Sequence, residues 1–195
     1  MQHRKKQAVF LDRDGVIIEN RPDHIKTWEE VRFLDGSFEA LVALASLPVT
    51  IVVVSNQGVV GRGLLSLETA WELQRQIVEV VTSHGGRIDA SYLCPHHPSD
   101  GCTCRKPAPG MLLQAARELN LDLKRSWLVG DAATDLEAAH AAGSRGILVR
   151  TGRGKDQELG PLATRGGDFP IVDDLAAAVR LIAAAQNSYT TRSHS

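Results

Sequence analysis

The architecture of this chain is best predicted by working outward from residues 8–15, AVFLDRDG. The first four residues form a short apolar run that is typical of a buried strand, and two carboxylates follow where the run ends. Side chains two residues apart on a strand share a face, so we expect Asp12 and Asp14 to point into one crevice. Two like charges this close repel each other unless a cation or a shared proton holds them. The pair predicts a metal site or an acid/base pair, with an ordinary turn as the alternative because Asp and Gly favour turns.

Strand-like and helix-like runs alternate along the rest of the chain. The predicted strands cover residues 7–11, 50–54, 88–93, 127–129, 146–149 and 171–172, and the predicted helices follow Asp35, Ser66 and Pro109 or cover 135–142 and 175–185. Residues 150–168 are predicted to be a loop. Such alternation predicts βαβ units, and hence an α/β fold with a Rossmann-like, doubly wound parallel sheet and helices on both faces.

The composition favours one globular domain that acts without nucleic acid or membrane. The chain has 195 residues, 43% hydrophobic and 23% charged, with a net charge of -1. We expect a single domain over residues 1–185 and a disordered polar tail over 186–195. The sequence has no basic stripe for nucleic acid, and its longest apolar region, residues 38–54, is too interrupted to span a membrane. We therefore expect a soluble, cytoplasmic protein; a monomer is a separate expectation that the composition does not test.

Polar residues follow three of the predicted strands. Asp12 and Asp14 follow the first strand, residues 55–57 follow the second, and Asp131 follows a third. In parallel α/β sheets the ligand binds beyond the carboxyl ends of the strands, so these residues are expected to meet. Mg²⁺ commonly takes one or two carboxylates together with a substrate phosphate, and Asp12 and Asp131 suit that arrangement. The sequence therefore indicates a site for Mg²⁺ and a small phosphorylated metabolite.

Other residue types in the chain suit phosphoryl transfer. Lys106 could place a fixed cation beside the phosphoryl group, and the Ser55 hydroxyl could donate to its oxygens. One carboxylate can attack phosphorus to form an aspartyl-phosphate. A second carboxylic acid can protonate the leaving oxygen and then take a proton from water.

The chain resembles the haloacid-dehalogenase-like (HAD) phosphatases over residues 7–150. Four motifs occur in that family's order: Asp12-x-Asp14-Gly15, Ser55-Asn56, Lys106-Pro107, and Gly130-Asp131 with Asp135. No large insertion separates the motifs, so the resemblance implies a member without a cap domain. Asp135 either contacts the metal ligands without binding the ion itself, or only stabilises the first turn of a helix.

The resemblance also implies a role for each motif residue. Asp12 would be the nucleophile and Asp14 the general acid/base. Ser55 and Lys106 would stabilise the phosphoryl group. Mg²⁺ would be bound by the Asp12 carboxylate, the main-chain carbonyl of Asp14 and the carboxylate of Asp131.

The three cysteines of the chain lie within eleven residues and predict a second metal site. Cys94 and His96 form a Cys-x-His pair, and Cys102 and Cys104 form a Cys-x-Cys pair a short loop later. Together they could supply the four ligands of a closed, tetrahedral zinc site, with a cluster of free thiols as the alternative. His97 competes with His96, and the family pattern favours His96. With four protein ligands, the zinc would be structural and would fix the loop that follows.

The zinc loop narrows the resemblance to two groups, the D-glycero-D-manno-heptose 1,7-bisphosphate 7-phosphatases and the histidinol-phosphate phosphatases. Both groups carry such a loop. Residues 56–57, 61–63 and 107–111 are more similar to the heptose group. A zinc-stabilised binding or scaffold module, with carboxylates that no longer act, is the non-enzyme alternative.

Six further residues are candidate substrate contacts. They are Asn20, Asp23, Asn56, Gln57, Arg62 and Arg105. Arg105 directly follows the last predicted zinc ligand, and a guanidinium suits bidentate contact with a second phosphate of the substrate. The alternative for Arg105 is an ordinary surface ion pair.

Overall fold

The computed structural model describes residues 5–159 and 169–192. Its strands are β1 Ala8–Leu11, β2 Thr50–Asn56, β3 Ala90–Cys94, β4 Trp127–Gly130, β5 Arg145–Val149 and β6 Ile171–Val172. Its helices are α1 Ser37–Ala45, α2 Gly58–Gly61, α3 Leu67–Ser83, α4 Gly110–Glu118, α5 Ala133–Ala142, α6 Gly154–Leu159 and α7 Leu175–Arg192. Short 3₁₀ turns cover Trp28–Glu30, Pro98–Asp100 and Leu123–Arg125.

All six strands form one parallel sheet in the order β3-β2-β1-β4-β5-β6. From β1 the chain winds outward to β2 and β3, and it then returns to place β4 on the other side of β1. The direction of winding thus reverses between β1 and β4, which is where ligands bind in such sheets. The predicted doubly wound α/β fold is confirmed.

The central strands are buried on both faces. Val9 and Leu11 of β1 belong to a core cluster with residues of α1, α3 and α7. Ala8 and Phe10 belong to a second cluster with residues of α4 and α5. Because both faces are covered by helices, the strand is a continuous apolar run rather than an alternating one. No helix among the described residues is long and apolar enough to cross a membrane.

Helices α6 and α7 are two of the elements that differ from the sequence prediction. Helix α6 lies inside the predicted loop over residues 150–168. Its Gln157 side chain accepts a hydrogen bond from the Ala133 backbone N–H, and its Glu158 side chain forms an ion pair with Arg150. Such a short helix has no apolar stripe, so its tertiary contacts are invisible to sequence periodicity. Helix α7 runs to Arg192, past the predicted end at residue 185 and into the tail predicted to be disordered, since no Gly or Pro ends it. The predictions for residues 160–168 and 193–195 lie outside the described residues.

Ser66 and Asp35 were both predicted to cap helices. Ser66 caps α3 as expected, because its Oγ accepts from the Thr69 N–H at 3.0 Å. Asp35 does not cap α1: the N-cap is Gly36, whose φ of +74° is in the left-handed region that glycine adopts readily. In the part of the chain that the structure describes, no separate domain is inserted between the ends of β1, β2 and β4.

Candidate active site and metal cluster

Three carboxylates converge at the switch point of the sheet. Asp12 follows β1, Asp131 follows β4, and Asp135 lies in the first turn of α5. One carboxylate oxygen from each lies within 4.8 Å of the others, and all three residues are buried. The pairing of Leu11 with Val129 in the parallel register brings the ends of the two strands side by side. The sheet therefore gathers acidic groups from three distant stretches of the chain at one point.

Lys106 is buried against this carboxylate cluster. Its Nζ donates to Asp12 Oδ1 at 2.8 Å and to the Val54 carbonyl at 2.8 Å, and it lies 2.6 Å from Asp135 Oδ1. Burial alone would lower the pKa of this ammonium, but Asp12 and Asp135 outweigh that effect and raise it. Lys106 is therefore a permanent cation beside Asp12.

The three carboxylates carry more negative charge than Lys106 neutralises. Burial raises the pKa of the Asp12 carboxyl to about 7; Lys106 opposes this shift, while Asp135, Asp131 and Asp14 add to it. A divalent cation at this point would favour the ionised form of all three carboxylates. Hard oxygen donors with excess negative charge are the ligands that suit Mg²⁺.

Asp14 is oriented by its neighbours on the cavity floor. The Arg13 Nε and Nη2 atoms each donate to the Asp14 carboxylate at 3.1 Å, and Gln57 Nε2 donates to Asp14 Oδ2 at 3.0 Å. The Ser55 hydroxyl donates to the same oxygen at 3.3 Å and accepts from Gln57 at 2.8 Å. The Gln57 amide, predicted to contact the substrate, donates to both Asp14 and Ser55 within the site. The contact of Arg13 with Asp14 was not predicted from the sequence. The sequence indicates it only through a charged residue inside a buried motif.

Asn56 holds the backbone of Lys106. Its Nδ2 donates to the Lys106 carbonyl at 3.0 Å, and its Oδ1 accepts from the Lys106 N–H at 3.0 Å. The hydrogen-bonding groups of the Asn56 side chain are thus occupied by the Lys106 backbone, although Asn56 also lines the cavity. Asn56 therefore positions Lys106, and its contact with a substrate stays a prediction.

We expect Asn56→Ala to lower the free energy of unfolding by about 1–3 kcal/mol, since it removes two hydrogen bonds and leaves two backbone groups without partners. Urea denaturation would measure the loss. Gln114→Ala is the matched control, because the Gln114 amide donates to exposed Glu118 on the same helix. Equal effects of the two substitutions would contradict the positioning contact.

Asp131 is fully buried and surrounded by close contacts. It accepts hydrogen bonds from the Arg153 backbone N–H at 2.9 Å, from Arg153 Nη2 at 3.0 Å and from Asn20 Nδ2 at 3.3 Å. A Cβ added at Gly15, whose φ is +90°, would overlap the Asp131 carboxylate, so only glycine is tolerated there. Asn20 was predicted as a substrate contact and here contacts Asp131. Arg153 was missed because it lies in the predicted loop.

A cavity of about 470 Å³ opens above these carboxylates and has a basic rim. Arg62 Nη1 and His24 Nε2 are 2.7 Å apart and join two walls of the cavity. Arg105 also lines it, and its Nη1 is buried with no hydrogen-bond partner among the described residues. Asp23 does not line the cavity: it is exposed and pairs with Arg21 and Lys26. The proposed substrate contact of Asp23 is therefore not supported, because its carboxylate is used by neighbouring cations in the same loop.

The second cluster brings together the four predicted metal ligands. Ligand atoms of Cys94, His96, Cys102 and Cys104 all lie within 4.8 Å of one another. The sulfur–sulfur distances are 3.2–3.6 Å, slightly shorter than the roughly 3.8 Å that a tetrahedron with Zn–S bonds of about 2.3 Å requires. The His97 Nδ1 instead accepts from the Ser99 N–H at 3.2 Å. The geometry selects His96 over His97, and the three thiols form no disulfide.

The fold and the acidic site together are those of a HAD-like hydrolase. A family model described as HAD-hydrolase-like matches residues 103–178. The crystal structure of D,D-heptose 1.7-bisphosphate phosphatase from B. bronchiseptica, complexed with magnesium and phosphate, is similar with a TM-score of 0.84 and 36% identity. That similarity covers 92% of this chain and 99% of the other.

Curated relatives are similar over nearly the whole chain. The D-glycero-beta-D-manno-heptose-1,7-bisphosphate 7-phosphatase of Pseudomonas aeruginosa is 39% identical over 176 residues, which cover 88% of this chain and 95% of the relative. The enzyme of the same name from Vibrio cholerae is 41% identical over 169 residues, covering 82% and 89%. The chain belongs to this family of HAD-like phosphatases.

Proposed function

We propose that this chain is a Mg²⁺-dependent phosphatase that removes the C7 phosphate of D-glycero-β-D-manno-heptose 1,7-bisphosphate through an aspartyl-phosphate. The observation that carries the proposal is the buried convergence of Asp12, Asp131 and Asp135 on one point, with Lys106 in contact with Asp12. The similarity to enzymes of that name over most of the chain supports the same substrate.

The residues present suit Mg²⁺ at the carboxylate cluster. Asp12 and Asp131 would hold the ion, together with the main-chain carbonyl of Asp14 that the family resemblance implies. The similar B. bronchiseptica structure contains magnesium and phosphate. When bound, the ion neutralises negative charge on the phosphoryl group and favours the ionised Asp12.

Asp12 performs the first chemical step in this proposal. One of its carboxylate oxygens attacks phosphorus, a new O–P bond forms, and the bond from phosphorus to the C7 oxygen breaks. Lys106 and the Ser55 hydroxyl stabilise the charge on the phosphoryl oxygens during this transfer. Lys106 suits that role because it is charged, buried and held at three atoms.

Asp14 moves the protons. As an acid it protonates the leaving C7 oxygen, and as a carboxylate it then takes a proton from the water that attacks the aspartyl-phosphate. That attack releases inorganic phosphate and restores Asp12. The contacts from Arg13 and Gln57 hold the Asp14 carboxylate in a fixed orientation for both steps.

A structural zinc is the second metal in the proposal. Cys94, His96, Cys102 and Cys104 would fill all four positions of a tetrahedral site, so no position remains for catalysis. Burial raises the pKa of the Cys94 thiol to about 12, and a bound metal would favour the thiolate instead. The zinc would fix the start of the loop that carries Lys106 into the site.

The basic rim of the cavity favours a bisphosphate. A second phosphate at the far end of the substrate would give the buried Arg105 Nη1 an anionic partner, with Arg62 also nearby on the rim. The far end of histidinol phosphate carries an amine, which these guanidinium groups would repel. The heptose substrate is therefore favoured over the histidinol one.

Steady-state phosphate release tests the proposed substrate. We expect kcat/KM for the β-anomer of heptose 1,7-bisphosphate to exceed that for histidinol phosphate by about a hundredfold or more, since an unpaired buried charge costs several kcal/mol. Assay without Mg²⁺ should abolish release, and added Mg²⁺ should restore it. A preference for histidinol phosphate would contradict the substrate assignment, and no release from either ester would favour a binding module.

The proposed enzyme acts as a monomer. Three unpaired thiols suit a reducing compartment such as the cytoplasm. Size-exclusion chromatography with light scattering would test the monomer.

A further inference from the structure

The Asp131 carboxylate accepts four hydrogen bonds, three of them from Arg153. Oδ2 accepts from the Arg153 backbone N–H at 2.9 Å, from Arg153 Nε at 3.3 Å and from Asn20 Nδ2 at 3.3 Å. Oδ1 accepts from Arg153 Nη2 at 3.0 Å. A carboxylate offers about four acceptor sites in total. Three of the four donors contact Oδ2 and one contacts Oδ1, so a cation bound to Asp131 would lie beside the Arg153 guanidinium, which repels it.

The guanidinium of Arg153 is the donor group that can leave. Its side chain is 54% exposed, whereas the Asp131 side chain that it contacts is fully buried. The backbone N–H of Arg153 holds Asp131 independently of the side chain, and the Thr151 hydroxyl ties the same loop to the Gly15 carbonyl at 2.6 Å. The loop thus stays in place when the side chain moves.

A displaced guanidinium would remain next to the substrate. Arg153 lines the same cavity as Asp12 and Lys106, so its side chain can turn from Asp131 to a phosphate oxygen above the cluster. A guanidinium suits phosphate through two parallel hydrogen bonds.

We propose that Arg153 exchanges partners in each catalytic cycle: it neutralises Asp131 until Mg²⁺ takes that carboxylate, and it then binds an anionic group of the substrate. The inference rests on the proposed function, because it takes Asp131 as a Mg²⁺ ligand. The exchange makes Arg153 a competitor of Mg²⁺ and a partner of phosphate. Mg²⁺ binding therefore increases the affinity for phosphate beyond the direct contact between the two ions.

Titration calorimetry with Mg²⁺ alone tests the competition. We expect Arg153→Met to lower the Kd for Mg²⁺ about tenfold, because a charge-assisted contact to the metal ligand is removed. Lys155→Met is the matched control: it removes the same charge from an exposed position two residues away and should leave the Kd unchanged. An unchanged or weaker affinity for Mg²⁺ in Arg153→Met would overturn the proposal.

A second titration tests the new partner. With Mg²⁺ saturating, we expect Arg153→Met to bind inorganic phosphate about tenfold more weakly than the unsubstituted protein. Unchanged phosphate affinity would overturn the exchange. Should Arg153→Met not fold, Arg153→Lys retains the charge without the planar fork, and both dissociation constants should then shift in the same directions by less. Asp131→Asn separates the two proposals: if it binds Mg²⁺ normally, the proposed metal site itself is wrong.

Discussion

Asp12→Asn is expected to reduce Mg²⁺-dependent phosphate release by a factor of about 10⁴ or more, as removal of a covalent nucleophile does in other enzymes. The amide has nearly the shape of the carboxylate but cannot attack phosphorus. Replacing the Asp12 carboxylate also removes one negative charge from the carboxylate cluster. The rate of phosphate release from heptose 1,7-bisphosphate would measure the effect.

The fold should survive this substitution. Lys106 keeps Asp135 and the Val54 carbonyl as partners, so its charge is not left unpaired. Asp23→Asn is the matched control, since it makes the same chemical change at an exposed residue outside the cavity, and it should retain at least about half of the activity. Near-normal turnover in a folded Asp12→Asn protein would rule out the aspartyl-phosphate.

The second large effect is expected at the Cys/His cluster. Cys104→Ala should release zinc and lower the free energy of unfolding by several kcal/mol, because structural zinc contributes about 10–16 kcal/mol of apparent binding free energy in small zinc domains. Turnover should fall as well, since Lys106 lies two residues after Cys104. Metal content by mass spectrometry and thermal unfolding with and without a chelator would measure both effects.

Two adjacent histidines provide the sharpest control for the zinc site. His96 Nδ1 lies 3.2 Å from Cys104 Sγ, whereas the His97 ring caps the turn over Pro98–Asp100. His96→Ala should therefore reduce zinc content and stability, and His97→Ala should keep one zinc per chain. Zinc loss in both variants, or in neither, would contradict the assigned ligand set.

The strand pattern was sufficient to predict the centre of the site. The apolar run that ends at Asp12 and the β-branched run that ends near Ser55 both predict buried parallel strands. Parallel strands place their carboxyl ends at one edge, so the meeting of Asp12 with Asp131 follows from topology alone. The close pairs of Cys and His residues likewise need only short loops to meet.

The contacts between side chains could not be predicted in this way. Asn56 and Gln57 occur in a stretch that is similar to the heptose group and were predicted to contact the substrate, yet their amides bind Lys106 and Asp14. Arg153 lies in a segment without periodicity, and its contact with Asp131 depends on how a loop packs across the sheet. Side-chain partners of this kind are set by tertiary structure, and one sequence carries no signal for them.

A crystal structure of the protein with Mg²⁺ and inorganic phosphate tests the central claim most directly. We expect one Mg²⁺ at about 2.1 Å from a carboxylate oxygen of Asp12 and from one of Asp131, with phosphate between the ion and Lys106. A Mg²⁺ ion that contacts neither carboxylate, with phosphate bound away from Asp12, would contradict the account.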